Sequence, residues 1–329
     1  MTQVDVGGVI TAPQRRWRRV PGPLAWIAVA PCAVWALVRL AGVDGPVLTE
    51  LITATPYVAG FSLFALLLAL GSRRRVVAAV AAASSTLMAF MVLPRAFGDT
   101  PTATGPSLRI LTINLFVGRG DAHTVVDLVR RLRPDVLNTQ ELEPRAVEAL
   151  DAAGLGTLMP YSHLEPAYGA SGSGIYSRYP LTKLPDFAPS SGHRMPYARF
   201  TLPSGQAVEL VDVHTMAPLG PDVATWEEGL RSLPPAVPGV VRVLAGDFNA
   251  SLDHGSLRDV LGRGYLDAAD ATGAGLRTTW PANRRFPPLI TIDHVLVDQR
   301  ASAVDVNVHD VPGTDHRAVF AELRLPTTL

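Results

Sequence analysis

The sequence predicts an α/β domain of two packed sheets over residues 108–329, preceded by three transmembrane helices. Three observations carry that prediction. Residues 24–38, 51–70 and 76–93 are apolar stretches without a charged side chain. Beyond residue 107, short apolar strands alternate with amphipathic helices, the pattern of a mixed α/β layer architecture. Several of those strands end on Asn, Glu, His or Asp.

Composition excludes several classes. Hydrophobic residues make up 48% and charged residues 18% of the 329, which is below the roughly 25% charge of ordinary soluble domains and far from a disordered chain. Cys32 is the one cysteine, so an intrachain disulfide framework and a thiolate zinc site are both excluded. The formal net charge of zero hides two unlike parts. Residues 1–104 carry nine Arg against four acids, and residues 105–329 carry 20 basic groups against 25 acids.

A helix needs about 20 residues, at 1.5 Å each, to cross a ~30 Å hydrocarbon core. The second stretch meets this outright, and the third ends at Pro94. The first meets it if Arg39 snorkels to the interface. Pro31 and Pro56 are tolerated in membrane helices. A cleaved signal peptide is the competing reading of the first stretch, since Arg15, Arg16, Arg18 and Arg19 precede it. Against it stand the lack of a small-x-small cleavage site and the two further apolar stretches. Those four Arg and the trio Arg73, Arg74 and Arg75 outnumber Arg39 and Arg95 at the opposite helix ends. The positive-inside rule therefore places the N-terminus in the cytoplasm and everything after the third span outside. The expected organisation is a cytoplasmic tail (1–22), a three-span region in the lipid bilayer (23–94), a Thr/Gly/Pro-rich linker (95–107) and an external domain (108–329). As an extended tether the linker reaches at most about 45 Å.

Within the external part, strands are expected at 108–115, 136–141, 173–177, 197–202, 207–214, 240–247, 291–297, 304–309 and 318–323. Helices are expected at 123–133, stopped by Pro134, and at 144–153, 222–233 and 255–261. The polar strand ends are Asn114, Glu141, His214, Asp247 with Asn249, Asp293, and Asp315 with His316. Buried carboxylates are costly unless a cation or hydrogen bonds balance them. Gathered at one edge of the sheets they would make a site for a hard divalent metal, and oxygen ligands suit Mg²⁺ or Mn²⁺.

The ordered set Ile113-Asn114-Leu115, Gln140-Glu141, Ser177-Arg178-Tyr179-Pro180-Leu181, Val213-His214, Gly246-Asp247-Phe248-Asn249, Ile292-Asp293-His294-Val295 and Thr314-Asp315-His316 resembles the endonuclease/exonuclease/phosphatase superfamily. That resemblance implies a four-layered α/β sandwich and a metal-dependent phosphoric ester hydrolase. It implies Glu141 as the main metal ligand with Asn114 beside it, and His316 as the base that deprotonates water. Asp293 would orient His316, and Asp315 would serve the metal or the site's electrostatics. Asp247 would orient the water or the metal's water shell, while Asn249 and His214 would bind phosphate oxygens. The bland readings are turn formers for Asn114, Asp247 and Asn249, a strand cap for Asp315 and His316, a surface Glu141 and a core His214. His294 alternates with Asp293 and is expected to face away. Arg178 and Tyr179 are expected to be structural, His193 and Arg194 to lie in a solvated loop rather than to clamp a phosphate, and His123, His163, His254 and His309 at the surface.

Three-span architecture with an external domain of this superfamily also resembles membrane phosphatases associated with teicoplanin resistance. The expected substrate is a lipid-linked phosphate or pyrophosphate at the membrane. Nucleic acid is disfavoured by the acidic external domain, because DNA binding wants a basic footprint. An extracellular nuclease and a catalytically silent binding module are the alternatives. No protein partner is evident.

Overall fold

The computed structural model describes residues 21–185 and 192–327. The basic run at 15–19 lies outside the described residues. Helix α1 (Gly22–Ala41) ends at Gly42 in the left-handed conformation, as expected of a residue without a Cβ. A short helix α2 (Leu48–Ile52) follows, then α3 (Thr55–Ser72) and α4 (Arg75–Val92). The expected single span from residue 51 is thus divided. Pro56, at the start of α3 and lacking an N–H, begins a new helix where that donor would be unpaired anyway. The turn before it separates α2 from α3, so that α2 stands as an elbow between α1 and α3. Helices α1, α3 and the stretch Arg75–Ala96 are each long and apolar enough to cross a membrane. They pack through small residues such as Ala25, Ala28, Ala65, Ala69 and Ala81, which lets backbones approach closely.

The α/β domain begins with β1 (Ser107–Asn114), α5 (Ala122–Leu132), β2 (Val136–Gln140), α6 (Pro144–Ala152) and α7 (Leu155–Leu158). It continues through β3 (Tyr161–Glu165), β4 (Ser173–Ser177), β5 (Thr182–Lys183), β6 (Tyr197–Thr201), β7 (Ala207–His214) and α8 (Val223–Ser232). After these come β8 (Val241–Asp247), α9 (Gly255–Leu261), β9 (Tyr265–Asp267), α10 (Ala268–Ala271), β10 (Asp293–Asp298), β11 (Ser302–Asp310) and β12 (Arg317–Arg324). Two six-stranded sheets result, in the orders β11-β12-β1-β2-β4-β3 and β5-β6-β7-β8-β10-β9. Strands β3, β5 and β9 were not expected, being short and without a clear period.

Four layers follow from where the apolar side chains go. Leu108, Ile110, Val208, Leu210, Val243 and Val297 meet between the sheets. Val125, Leu128 and Val129 of α5 cover the outer face of the first sheet with Leu111 and Ile113. Trp226 and Leu230 of α8 and Leu257 of α9 cover the second with Val211 and Leu244. Each fully buried Val or Leu contributes roughly 1.5–3 kcal/mol, so both faces of the central strands are held.

The linker is not a free tether. Its Thr102 and Ala103 N–H groups donate to Ser302 Oγ at 3.0 Å, and Gly105 N–H donates to the Leu325 carbonyl at 2.9 Å. Arg39 does not snorkel. It is buried and donates from Nε to Asp253 Oδ1 at 2.6 Å, and Arg95 grips the same carboxylate with both terminal nitrogens at 2.9 and 2.6 Å. The reason is physical: Asp253 is itself buried, and a buried carboxylate demands paired cations.

Candidate active site and metal centre

Sheet register builds the polar cluster. In the second sheet His214 of β7 lies beside Asp247 of β8, and Asp247 lies beside Asp293 of β10. The three therefore form one row across neighbouring strands. In the first sheet Asn114 ends β1 next to Gln140 of β2, with Glu141 following at once. The two rows meet through Asn114 Nδ2, which donates to Glu141 Oε1 at 3.1 Å and to Asp247 Oδ2 at 3.0 Å. Asp315 and His316 arrive in the turn before β12.

His316 and Asp293 are paired by a hydrogen bond. Nδ1 stands 3.0 and 3.1 Å from the two Asp293 oxygens. An ionised carboxylate accepts only, so Nδ1 carries hydrogen and neutral His316 keeps its lone pair on Nε2. Nε2 stands 3.8 Å from both Asp247 Oδ2 and Asp315 Oδ1. Burial of the ring favours its neutral form, but the charges of Asp293 and Asp247 and the Asp293 hydrogen bond outweigh it. Without a metal these raise His316 to about 10. Asp247 is pushed up to about 7, chiefly by burial. Burial also raises Glu141, against the hydrogen bonds from Asn114 and Val117. Burial holds His214 well below the ordinary histidine range, and it is neutral at pH 7.

Backbone strain is concentrated here. Phe116, Val117, Glu141 and Asn249 all have φ between 47° and 54°, a left-handed conformation uncommon outside glycine. It turns Glu141 so that Oε2 accepts from Val117 N at 2.6 Å. It also lets Asn249 N–H donate back to Asp247 Oδ1 at 2.9 Å.

The donor set fits a hard divalent cation. Asp247, Asp293 and His316 each offer an atom, all within 4.8 Å of one another. Their closeness is partly the His316–Asp293 hydrogen bond itself. Glu141 and Asp247, bridged by one amide, supply the carboxylate pair that is not already spent on the histidine. Asp315 Oδ1 is buried with no hydrogen-bond partner among the described residues, while its Oδ2 accepts from Trp280 Nε1 at 3.1 Å. Asn114 differs from expectation: its Oδ1 accepts from Phe116 N at 2.9 Å, so it faces the carboxylates with N–H rather than with an oxygen ligand. Asn249 is similarly tied, donating from Nδ2 to the Thr215 carbonyl at 2.9 Å.

Other expectations divide. His294 faces away and is structural, bonded to Asp267 at 2.7 Å and to the Ala250 carbonyl at 2.8 Å. Tyr179 braces Asp135, a structural role as expected. His163 and His254, expected at the surface, are buried. His193, expected in a solvated loop, packs its ring 4.3 Å from that of His214. His163 pairs with Glu165 of its own strand, and His254 accepts from Ser251 N and reaches the distant Thr49 carbonyl, while the partner of the His193 ring comes from β7.

A cleft of about 730 Å³ opens over this polar cluster. Glu141, His193, His214, Asp247, Asn249, Asp315 and His316 line its base, and Met216, Pro218, Leu219, Trp280, Leu289 and Ile290 its sides. Thr49, Glu50 and Thr53 of the N-terminal helical region line it as well.

A profile of the Endonuclease/Exonuclease/phosphatase family matches residues 111–316. No curated protein matches the chain. Among solved structures, a truncated Caenorhabditis elegans TDP2 superposes with a TM-score of 0.52 at 17% identity, covering 66% of this chain and 97% of that one. A mannosyl-6-phosphatase of Bacteroides thetaiotaomicron gives 0.51 at 16%, covering 66% and 99%. A Bacteroides vulgatus endonuclease/exonuclease/phosphatase gives 0.52 at 16%, covering 67% and 99%. At such identities the likeness is one of fold.

Proposed function

The chain belongs to the endonuclease/exonuclease/phosphatase family, and from that premise we propose a membrane-anchored, divalent-metal-dependent phosphoesterase. It cleaves a phosphate ester or pyrophosphate bond of a lipid-linked substrate outside the cytoplasmic membrane. One observation carries this reading: His316, held by Asp293, and the Glu141 and Asp247 carboxylates floor a cleft with a side lined by the membrane region.

Glu141 and Asp247 would hold Mg²⁺ or Mn²⁺, with Asp315 at its margin. Asn114 would bridge the two carboxylates, and its Oδ1 would become a ligand only by giving up the Phe116 bond. When bound, the cation supplies Lewis-acid stabilisation of charge growing on the phosphoryl oxygens. His316 Nε2 takes the proton from the attacking water, and Asp293 holds the ring and stabilises the imidazolium that forms. With their charge offset by a cation held there, these carboxylates would raise His316 less, and it would approach the range in which it is neutral. Neutral His214 donates one hydrogen bond toward the phosphate, and Asn249 contributes through its side-chain amide.

Fold alone does not choose the substrate, since the family's relatives include a sugar phosphatase as well as TDP2. The described residues lining the cleft include no Arg or Lys, which favours a single phosphate group over a nucleic-acid backbone. The test is hydrolysis by the detergent-solubilised full chain with Mg²⁺. A lipid pyrophosphate, a sphingomyelin-like diester, a nucleotide monoester and plasmid DNA are compared, each with and without EDTA. EDTA-sensitive turnover favouring a lipid substrate supports the proposal. Preferential cutting of DNA would replace it with the nuclease reading, and inertness on all four with the binding-module reading.

A further inference from the structure

We infer that the membrane region is part of the substrate site: the α2 elbow forms the outer wall of the catalytic cleft and admits the apolar chain of a phosphate-bearing lipid sideways from the bilayer. This rests on the phosphoesterase reading and adds to it which residues meet the lipid and how it enters.

Two independent features support the inference. The first is a built joint between the membrane helices and the domain. Arg39 from the end of α1 and Arg95 from beyond α4 converge on the buried Asp253. Asp44 accepts from the Gly255 and Ser256 N–H groups at 3.2 and 2.7 Å and from Ser256 Oγ at 2.8 Å. His254 Nε2 lies 2.8 Å from the Thr49 carbonyl, and Tyr57 donates to the Leu289 carbonyl at 2.6 Å. A Cβ on Gly255 would come within 2.1 Å of the Gly42 carbonyl oxygen, so the joint closes only because that residue is glycine. All these contacts come from one end of the helical bundle, opposite to Arg73, Arg74 and Arg75. The domain is therefore seated on the membrane region with its cleft against α2.

The second feature is the cleft's apolar exit. Leu219 and Leu289 on its walls are 58% and 53% exposed, while Leu51 of the elbow and Tyr57 at the start of α3 are 49% and 51% exposed. Large apolar side chains left open at a catalytic mouth, on the side where the apolar helices stand, fit one occupant: a hydrocarbon chain whose head reaches the carboxylate floor. The cleft volume of about 730 Å³ far exceeds what a phosphate alone needs, a water molecule's share being roughly 30 Å³.

The experiment uses the full chain in phosphatidylglycerol vesicles. The probe is a phosphatidic acid bearing a diazirine on its acyl chain. Photolysis should place adducts on residues 216–219 and 289–292, and excess unlabelled phosphatidic acid should remove them. Adducts confined to the transmembrane helices overturn the inference, whatever the enzyme hydrolyses. In parallel, Gly255→Val should lower kcat/KM for dioleoyl phosphatidic acid at least about tenfold, because a dislodged domain loses its effective concentration of membrane substrate. Its turnover of glycerol 3-phosphate should not change. Asp44→Ala, a milder break of the same joint, replaces it if that variant does not fold. Equal loss on both substrates overturns the inference. Adducts without hydrolysis of any phosphate ester would sink the phosphoesterase reading and leave the lipid site standing.

Discussion

Replacing Asp293 by Asn tests the base assignment through its sign. The Asp293 carboxylate lies 3.0 Å from His316 Nδ1. At an effective dielectric constant of about 20, two unit charges at that distance interact by at most about 5–6 kcal/mol. Observed shifts from one opposite charge are smaller, about 1–3 pKa units at 1.36 kcal/mol each. His316 must be neutral to accept a proton, so the rate rises with pH through its pKa. Asp293 raises that pKa, so Asn at this position should move the acid limb of the kcat/KM profile about 1–3 units toward lower pH. The plateau should fall too, by no more than the about 10²–10⁴-fold, or about 3–5 kcal/mol, expected in kcat for His316→Ala. In EDTA, the stability that Asp293 lends through His316 is fully present below the ordinary 6.5 and is lost as pH rises through about 10. The melting-temperature gap between wild type and variant should close over that window. A limb that stays put or moves to higher pH refutes the pair as base and orienter. So does a His316→Ala variant whose main defect is a raised KM.

Glu141→Gln should raise the Mg²⁺ concentration needed for half-maximal activity while scarcely changing the melting curve in EDTA, since burial already disfavours the charged carboxyl there. Full activity of the wild type in EDTA would remove the metal from the mechanism. His294→Ala should behave oppositely to His316→Ala: it leaves Asp267 buried without its partner, costing about 3–5 kcal/mol of stability by denaturant titration. Activity per folded molecule should then fall less than about tenfold, because the ring faces away from the cleft; a larger catalytic loss contradicts that placement. Alkaline phosphatase fused after Leu329 should be active in cells and a Sec-exported green fluorescent protein at the same place dark. The reverse pair would invert the topology.

Much of the site is legible in the sequence, because strand ends are local facts. An apolar run that stops at His214, Asp247 or Asn114 places a polar group at a sheet edge, whatever the neighbours are. The alternation that separates Asp293 from His294 is likewise a property of the strand itself. The three apolar stretches and the arginine trio are read in the same way, from length and hydropathy. Tertiary structure decided what depends on distant partners. Arg39 reads locally as a snorkelling interfacial residue, yet it is buried against Asp253, 214 positions away. His254 reads as a surface histidine, yet it carries the Thr49 carbonyl. Asn114 reads as an oxygen ligand, yet the Phe116 N–H turns its amide around. Residues 95–107 read as a tether, yet Ser302 and Leu325 pin them to the domain. Local pattern determines which groups stand at an edge and which segments prefer a membrane. Only packing across the whole chain determines which buried charges must meet, because desolvation is charged against every group that the final arrangement removes from water.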